Sequence, residues 1–212
     1  MTRGRFVALE GGEGAGKSTQ ARMLVQTLSD KGMKAVLTRE PGGTPGAEAI
    51  RSLLLDPNGE GWGPEAEALL FAAARSDHVA RLIQPALSEG KWVISDRFLD
   101  SSRAYQGGQG GLDDEAVMSL HRIGSSGLLP DMTVLIEIDP DAAAERLAKR
   151  DAGATDRIGG RDEAYHRKVA ENFRRFAAAE PHRFVVVSGD GSPENVHDRI
   201  CQALMPLIRH AA

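Results

Sequence analysis

The sequence has few of the features that mark secreted, membrane or nucleic-acid-binding proteins. Its single cysteine, Cys201, excludes an internal disulfide framework. No apolar run reaches the length of about 18 residues that a membrane span needs, and the first strand-like segment follows the N-terminus too closely to leave room for a signal peptide. The formal net charge is −4, whereas nucleic-acid-binding proteins usually carry a basic excess. These absences predict a cytoplasmic protein with no membrane and no nucleic-acid partner.

Short apolar segments alternate with helical patterns along the chain. The segments are rich in β-branched residues and apolar at their centres, as is typical of parallel strands covered on both faces; they span 5–10, 34–39, 91–95, 132–138 and 183–187. Helical patterns span about 17–28, 46–55, 65–89, 113–126, 140–150, 162–179 and 193–209. Three of them begin at capping residues, namely Asp113, Asp139 before Pro140, and Ser192 before Pro193. Right-handed crossovers between such strands predict a single α/β domain over residues 1–212 with three α/β/α layers.

Residues 11–18 read Gly-Gly-Glu-Gly-Ala-Gly-Lys-Ser, a complete Walker A loop between a predicted strand and a predicted helix. Its glycines let successive backbone N–H groups face a polyphosphate, and the start of the helix adds unpaired donors and a positive dipole end. We expect Lys17 to reach the β- and γ-phosphates of ATP and the Ser18 hydroxyl to bind Mg²⁺. The predicted ATP site therefore comprises Gly11, Gly12, Glu13, Gly14, Ala15, Gly16, Lys17, Ser18 and Thr19.

Charged residues follow the predicted parallel strands, where ligands collect in open α/β sheets. Asp96 ends an apolar run as a Walker B carboxylate does, so we expect it to hold Mg²⁺ through a water or to accept a hydrogen bond from Ser18. Phosphoryl transfer depends on alignment and charge neutralisation. We therefore expect cations from several segments to converge, including Lys17, Arg39, Arg51 and Arg97.

A polar segment with several glycines, at about 150–161, separates two predicted helices. It has few apolar residues to hold it against a core, and its glycines permit hinging, so we predict a mobile lid. Arginines at positions 150, 157 and 161 give this segment positive charge that lid closure would bring to the site.

Four blocks of sequence, in this order and spacing, resemble the bacterial thymidylate kinase family: residues 11–18, 38–44 (Thr-Arg-Glu-Pro-Gly-Gly-Thr), 96–98 (Asp-Arg-Phe) and 100–108 (Asp-Ser-Ser-Arg-Ala-Tyr-Gln-Gly-Gly). The resemblance extends over nearly the whole chain, and the second and fourth blocks are far more specific than the Walker A loop. It implies a P-loop NTPase fold with a five-stranded parallel sheet. It also implies phosphorylation of dTMP to dTDP with ATP and Mg²⁺, by a homodimer.

The resemblance assigns a dTMP site to residues from several segments. The dTMP phosphate would be held by Arg39, Arg51 and Arg97, with Glu40 and Ser101 in the same site. The thymine base would stack on Phe71, receive a hydrogen bond at its 4-oxo group from Arg75, and meet Ser102 and Gln106 at its edge. The sugar would meet Tyr105, which crowds the 2′ position and favours deoxyribose, and Glu13.

The spacing of two of these residues supports the base site independently. Phe71 and Arg75 lie four residues apart on one predicted helix, so their side chains project from one face. A ring with an adjacent donor suits a base. From the residues alone, a core phenylalanine with an arginine at its rim remains the alternative, and Tyr105 could equally be a core residue.

The predicted catalytic set rests on the glycine at position 14. Some members of the resembled family carry an arginine there, whereas others have glycine and supply an arginine from the lid. Asp156-Arg157-Ile158 resembles the lid of the second group. Arg157 is therefore the expected charge-stabilising arginine, supported by Arg150, and the set is completed by Lys17, Arg97 and Glu13. Phe98 departs from the His or Tyr more common after Asp-Arg, and we assign it no catalytic role.

Two other functions are compatible with a Walker A loop. One is phosphorylation of a different nucleoside monophosphate, because the loop and the strand ends do not identify the acceptor. The other is a nucleotide-dependent switch. The Asn-Lys-x-Asp motif that reads guanine is absent, since no lysine follows Asn58, Asn172 or Asn195. The fate of the phosphate separates a kinase from a switch, because a kinase transfers it to an acceptor and a switch releases it.

Overall fold

Five parallel strands form the sheet in the described part of the chain. The structure is a computed structural model that describes residues 3–107, 111–151 and 159–209, apart from the side chains of residues 140 and 147–151. The strands are β1 (Phe6–Glu10), β2 (Ala35–Arg39), β3 (Trp92–Asp96), β4 (Met132–Glu137) and β5 (Phe184–Ser188). They lie in the order β2-β3-β1-β4-β5. Each predicted strand agrees with the structure to within one residue at either end.

The helices alternate with the strands along the chain. They are α1 (Lys17–Asp30), α2 (Pro45–Leu55), α3 (Pro64–His78), α4 (Gln84–Ser88), α5 (Leu99–Tyr105), α6 (Asp114–Ser125), α7 (Pro140–Asp151), α8 (Glu163–Ala179) and α9 (Pro193–Arg209). The three predicted caps are confirmed. For example, the Asp113 carboxylate accepts a hydrogen bond from the Ala116 amide at 2.7 Å, which satisfies one of the free N–H groups at the start of α6.

Helices cover both faces of the sheet, so the predicted three-layer α/β/α fold is confirmed. Because side chains alternate along a strand, Val7 and Leu9 of β1 pack on one face with residues of α1 and α9. Phe6 and Ala8 pack on the opposite face with the α4, α5 and α6 side of the molecule. β1 is buried along its whole length and is the middle strand of the five. Its C-terminal end, and the loop that follows, therefore lie at the centre of that edge of the sheet.

The structure differs from the sequence prediction at two helices. The predicted helix over 65–89 is interrupted by a π-helical turn, Val79–Ile83, ahead of Pro85. Proline has no N–H to continue the regular hydrogen-bond ladder, so the preceding turn is not α-helical. The short helix α5 was not predicted at all. Its sequence includes Asp100, Ser101 and Ser102, which have poor helix propensity.

A contact from a distant strand stabilises the start of α5. The Glu10 carboxylate accepts hydrogen bonds from the amides of Phe98 (2.8 Å) and Ser101 (3.1 Å). A carboxylate at this position satisfies free N–H groups and faces the positive end of the helix dipole. The helix therefore forms because β1 supplies its cap, which local sequence does not indicate.

The greater part of the predicted lid, residues 152–158, lies outside the described residues, and Arg157 is among them. The side chain of Arg150 and residues 108–110 also lie outside them. Within the ranges that are described, no helix combines the length and apolar character required to cross a bilayer.

Candidate active site

A cavity of about 640 Å³ lies at the C-terminal ends of the strands, within the range of roughly 300–1,000 Å³ that small-molecule sites occupy. Its wall contains most of the residues predicted from sequence: Glu13, Gly14, Gly16, Lys17, Ser18, Thr19, Arg39, Glu40, Arg51, Phe71, Arg75, Asp96, Arg97, Ser101, Ser102, Tyr105 and Gln106. Gly11, Gly12 and Ala15, also predicted, are not part of this wall. Residues from five of the helices and from the ends of β2 and β3 thus meet in one cleft.

The Walker A loop forms one end of the cavity, between β1 and α1. Lys17 folds back across the loop, and its Nζ donates to the carbonyl oxygens of Gly11 (3.1 Å) and Gly12 (2.7 Å). Burial of the ammonium group and repulsion by Arg97 lower the pKa of Lys17 to about 8, although Glu13, Asp96 and Glu10 act in the opposite direction. Lys17 is therefore a buried cation that donates to neutral carbonyl oxygens, so the negative charge of an anionic ligand would stabilise it.

The adjacent strand brings a carboxylate to the same end. Asp96 is the last residue of β3, which pairs with β1 so that Asp96 lies beside Leu9. The Ser18 hydroxyl donates a hydrogen bond to Asp96 Oδ2, one of the two arrangements expected from the sequence. A hydroxyl and a carboxylate oxygen side by side are the hard oxygen ligands that Mg²⁺ prefers.

Arg97 joins three segments at the centre of the cavity. Its guanidinium forms an ion pair with Glu13 of the Walker A loop and donates to Ser101 Oγ of α5 at 3.1 Å. It also lies over the ring of Tyr105, 5.0 Å from the ring centroid. Tyr105 in turn donates to Glu13 at 3.5 Å. These contacts hold a cation, a carboxylate and an aromatic ring together in the wall of the cavity.

Glu10 contacts this cluster through Ser101. Besides capping α5, it accepts a hydrogen bond from the Ser101 hydroxyl at 2.6 Å, and Ser101 is the partner of Arg97. Full burial, together with the nearby Asp100 carboxylate, raises the pKa of Glu10 to about 7. The sequence analysis gave Glu10 no role. A carboxylate at the end of an otherwise apolar strand was the available signal.

The opposite wall is formed by α3 and by the loop after β2. Phe71 and Arg75 of α3 both reach the cavity, as their spacing predicted. The Arg75 guanidinium donates through Nε to Glu40 Oε2 (2.7 Å) and through Nη2 to Ser102 Oγ (2.7 Å). Glu40, predicted as a substrate-binding residue, therefore holds Arg75 in this structure.

Three further predicted residues of the cavity wall have partners within the protein. Arg51 donates to the carbonyl oxygen of Pro41 at 2.7 Å, and the half-exposed Arg39 pairs with Glu48 at 3.1 Å. Gln106 is buried and donates to Glu67 Oε1 at 3.0 Å. The structure thus brings the three arginines predicted for an acceptor phosphate, at 39, 51 and 97, into the wall of one cavity.

Close packing at Gly14 closes that position to a side chain. An ideal Cβ there would lie 2.7 Å from the backbone oxygen of Ala143 in α7, and the φ of +74° disfavours any other residue. Residue 14 therefore cannot carry an arginine in this arrangement. Arg161, at the C-terminal end of the predicted lid, forms an ion pair with Glu67 at 2.6 Å.

Sequence reasoning missed five cavity residues: Arg22, Pro41, Leu55, Phe98 and Arg146. Arg22 follows Ser18 by four residues on α1, so helical spacing could have indicated it. Arg146 of α7 donates to the backbone oxygens of Gly189 (3.0 Å) and Gly191 (3.3 Å). Only the tertiary structure places it beside the Walker A loop.

Similarity to known proteins agrees with this geometry. A family model described as Thymidylate kinase matches residues 9–200. The thymidylate kinase of Rhizorhabdus wittichii is 55% identical over 205 residues, covering 97% of this chain and 99% of that protein. The thymidylate kinase of a Bradyrhizobium species is 46% identical over 203 residues, covering 95% of this chain and 90% of that protein. The crystal structure of the thymidylate kinase of Ehrlichia chaffeensis has a TM-score of 0.79 at 31% identity, covering 95% of this chain and 99% of that one. The chain belongs to the thymidylate kinase family.

Proposed function

We propose that the chain is an ATP:dTMP phosphotransferase that transfers the γ-phosphoryl group of ATP to dTMP, giving dTDP and ADP for dTTP synthesis. The observation that carries the proposal is one cavity lined at one end by the Walker A loop and at the other by Phe71 and Arg75, in a chain of this family. A donor and an acceptor nucleotide bound at the two ends would meet with their phosphates near Arg97.

ATP binds at the Walker A end in this proposal. The amides of residues 11–19 face its phosphates, and Lys17 leaves its carbonyl partners to reach the β- and γ-phosphates. Ser18 and Asp96 would hold Mg²⁺, which supplies neutralisation of the phosphate charge when bound. The fit of these oxygens supports the assignment, and Ser18→Ala should raise the Mg²⁺ concentration needed for half-maximal activity. An unchanged Mg²⁺ dependence would remove Ser18 from the site.

dTMP binds at the other end. Its phosphate is held by Arg39, Arg51 and Arg97. Ser101 supports Arg97, and Glu40 lies in the same site, where it holds Arg75. Its base stacks on Phe71 and is read by Arg75, with Ser102 and Gln106 along the edge. Tyr105 and Glu13 lie beside each other and would meet the sugar, where the ring favours deoxyribose.

The chemistry depends on positioning and charge. Lys17 and Arg97 would neutralise the transferred group from within the cavity, and Glu13 keeps Arg97 oriented before the substrates arrive. The closed position at Gly14 supports delivery of a further arginine from the lid at about 150–161, with Arg157 in that role and Arg150 supporting it. The lid is part of a single domain spanning residues 1–212 and excludes water when it closes.

A coupled assay with dTMP, dUMP, dCMP and AMP as acceptors tests the proposal. We expect dTMP to have the highest kcat/KM and ATP hydrolysis to be slow when no acceptor is present. Preference for AMP would make the chain a kinase for a different monophosphate. Rapid phosphate release without any acceptor would favour a nucleotide-dependent switch.

We also propose that the chain acts as a cytoplasmic homodimer. Support comes from two large apolar side chains exposed on helices that pack against each other: Leu69 of α3, 55% exposed, and Ile123 of α6, 84% exposed. Ile123→Asp should shift the protein to monomer in sedimentation equilibrium. A monomeric unmodified protein, or a variant with unchanged mass, would oppose the dimer or this face of it.

A further inference from the structure

Five polar side chains form a continuous buried chain of hydrogen bonds behind the Phe71–Arg75 wall. Thr38 Oγ1 lies 2.6 Å from His78 Nε2, and His78 Nδ1 lies 3.0 Å from Glu40 Oε1. Glu40 Oε2 then accepts from Arg75 Nε at 2.7 Å, and Arg75 Nη2 donates to Ser102 Oγ at 2.7 Å. All five are buried, and His78 is completely inaccessible to solvent. The proposed function uses Arg75 and Ser102 directly but leaves His78 without a role.

The chemistry of Glu40 sets the direction of this chain. A carboxylate oxygen can only accept a hydrogen bond, so the ring nitrogen that faces it, His78 Nδ1, must carry a hydrogen. In the neutral ring Nε2 then accepts from the Thr38 hydroxyl. Arg75 and His78 together outweigh the cost of burial and hold the pKa of Glu40 below its ordinary value, which keeps the carboxylate ionised. Each Glu40 oxygen therefore has one dedicated donor.

The loop after β2 closes tightly over the His78 end of the chain. An ideal Cβ on Gly43 would lie 2.5 Å from Thr38 Oγ1 and 2.7 Å from His78 Nε2, and its φ is +89°. Only glycine fits where this backbone covers the Thr38–His78 hydrogen bond. Thr44 in turn donates to Asp77, the residue before His78, at 2.6 Å. Two consecutive residues of α3 thus hold the loop that carries Glu40.

We propose that His78 is a positioning residue that orients Arg75 through Glu40 and so sets the preference for a pyrimidine with a 4-oxo group. The inference rests on the proposed function, in which Arg75 donates to that group. If His78 did not occupy Glu40 Oε1, this oxygen would compete with Oε2 for the Arg75 guanidinium. The guanidinium would then turn, and its remaining N–H groups would no longer meet the base in one orientation. A 4-amino base, which donates rather than accepts, would be rejected less strongly.

The side chains of asparagine and glutamine provide matched variants. The amide nitrogen of His78→Asn lies near the position of Nδ1 and can still donate to Glu40. In His78→Gln it reaches the position of Nε2 and meets Thr38, so the donor to Glu40 is lost. We expect His78→Gln to raise KM for dTMP by about tenfold, the effect of one buried hydrogen bond to a charged group, with kcat and the KM for ATP little changed. The ratio of kcat/KM for dTMP to kcat/KM for dCMP should fall by a similar factor. In His78→Asn, both the KM for dTMP and this ratio should stay close to their wild-type values.

A double-mutant cycle with Arg75→Ala separates positioning from general damage. If His78 acts through Arg75, adding His78→Gln to Arg75→Ala should not lower the dTMP:dCMP ratio further. A further fall, or an unchanged ratio in single His78→Gln, would overturn the inference. Should His78→Gln not fold, Glu40→Gln serves instead, because it replaces one of the two accepting oxygens by an NH2 group that can only donate, so either Arg75 or His78 loses its acceptor. A wild-type ratio in that variant would equally overturn it. Failure of the unmodified protein to phosphorylate dTMP would instead refute the proposed function.

Discussion

Raising the pH from 7 to 9 should weaken ATP binding through the deprotonation of Lys17. In the unliganded site, burial and the Arg97 charge lower the pKa of Lys17 to about 8. The phosphates of ATP bring negative charge to Nζ and therefore raise this pKa in the complex. ATP thus prefers the protonated form. Affinity is therefore nearly complete at pH 7 and is lost as the pH rises through 8.

The size of the effect follows from the fraction of protein that is competent to bind. With a pKa of about 8, the protonated fraction falls from about 91% at pH 7 to about 9% at pH 9. Because apparent Kd is the intrinsic Kd divided by the competent fraction, it should rise about tenfold over this interval. The phosphates of ATP are already ionised throughout this range, so the ligand adds little change of its own.

Equilibrium titration with a non-hydrolysable ATP analogue, at constant free Mg²⁺, measures Kd at pH 7, 8 and 9. Lys17→Arg is the matched control, because its guanidinium stays charged over this range. Whatever the affinity of that variant, its Kd should be independent of pH. Equal Kd values at pH 7 and 9 for the unmodified protein, or the same slope in Lys17→Arg, would refute the reasoning.

Three further predictions concern the acceptor site, the lid and the fold. Phe71→Ala should raise KM for dTMP by about 5- to 150-fold, because base stacking on an aromatic ring contributes about 1–3 kcal/mol; steady-state kinetics measures it. Arg157→Ala should lower kcat by about a thousandfold or more with little change in dTMP binding, because an arginine of this kind acts in the transition state. Asp100→Asn should destabilise the fold by about 3–5 kcal/mol in urea unfolding. The reason is that Asp100 forms a buried two-point ion pair with Arg183, with both N–O distances at 2.7 Å.

Each of these predictions has its own control. Phe71→Tyr keeps a stacking ring and should stay within a few-fold of wild type, and equal KM values for Phe71→Ala and wild type would remove the stacking role. For Arg157→Ala, a normal kcat would leave the lid without its charge-stabilising arginine. For the ion pair, the control is Asp113→Asn, which changes an exposed carboxylate. Asparagine can still cap α6, so this variant should lose far less free energy of unfolding. Comparable losses for Asp100→Asn and Asp113→Asn would contradict the argument from burial.

Much of the fold could be read from local patterns because the relevant physics is local. Strands buried on both faces are apolar without interruption, as in Phe6–Leu9, so their limits were predicted to within one residue. Caps such as Asp113 use the side chain of one residue and the backbone three residues later. The Walker A loop was recognisable for the same reason, since its donors all come from consecutive residues.

Elements that depend on distant partners were missed. Helix α5 has weak propensity and is capped by Glu10, 88 residues before Phe98. Nothing within α5 indicates that cap. Arg146 reaches the cavity because α7 packs beside the Walker A loop, a contact visible at Gly14 and Ala143. The sequence analysis gave His78 no role, because its link to Arg75 runs through Glu40 in the loop after β2.

The sequence by itself determined the phosphate-binding loop, the parallel sheet and the family, because each depends on short-range order: spacing, periodicity and contiguous motifs. The tertiary structure decided how the charges are shared, with Arg75 on Glu40, Arg97 on Glu13 and Lys17 on backbone carbonyls. The physical reason is that a buried charge needs a partner, and the available partner depends on which strands and helices meet. The Arg75–Glu40 and Arg97–Glu13 pairings, across 35 and 84 residues of chain, follow from packing and cannot be read from either residue's neighbours.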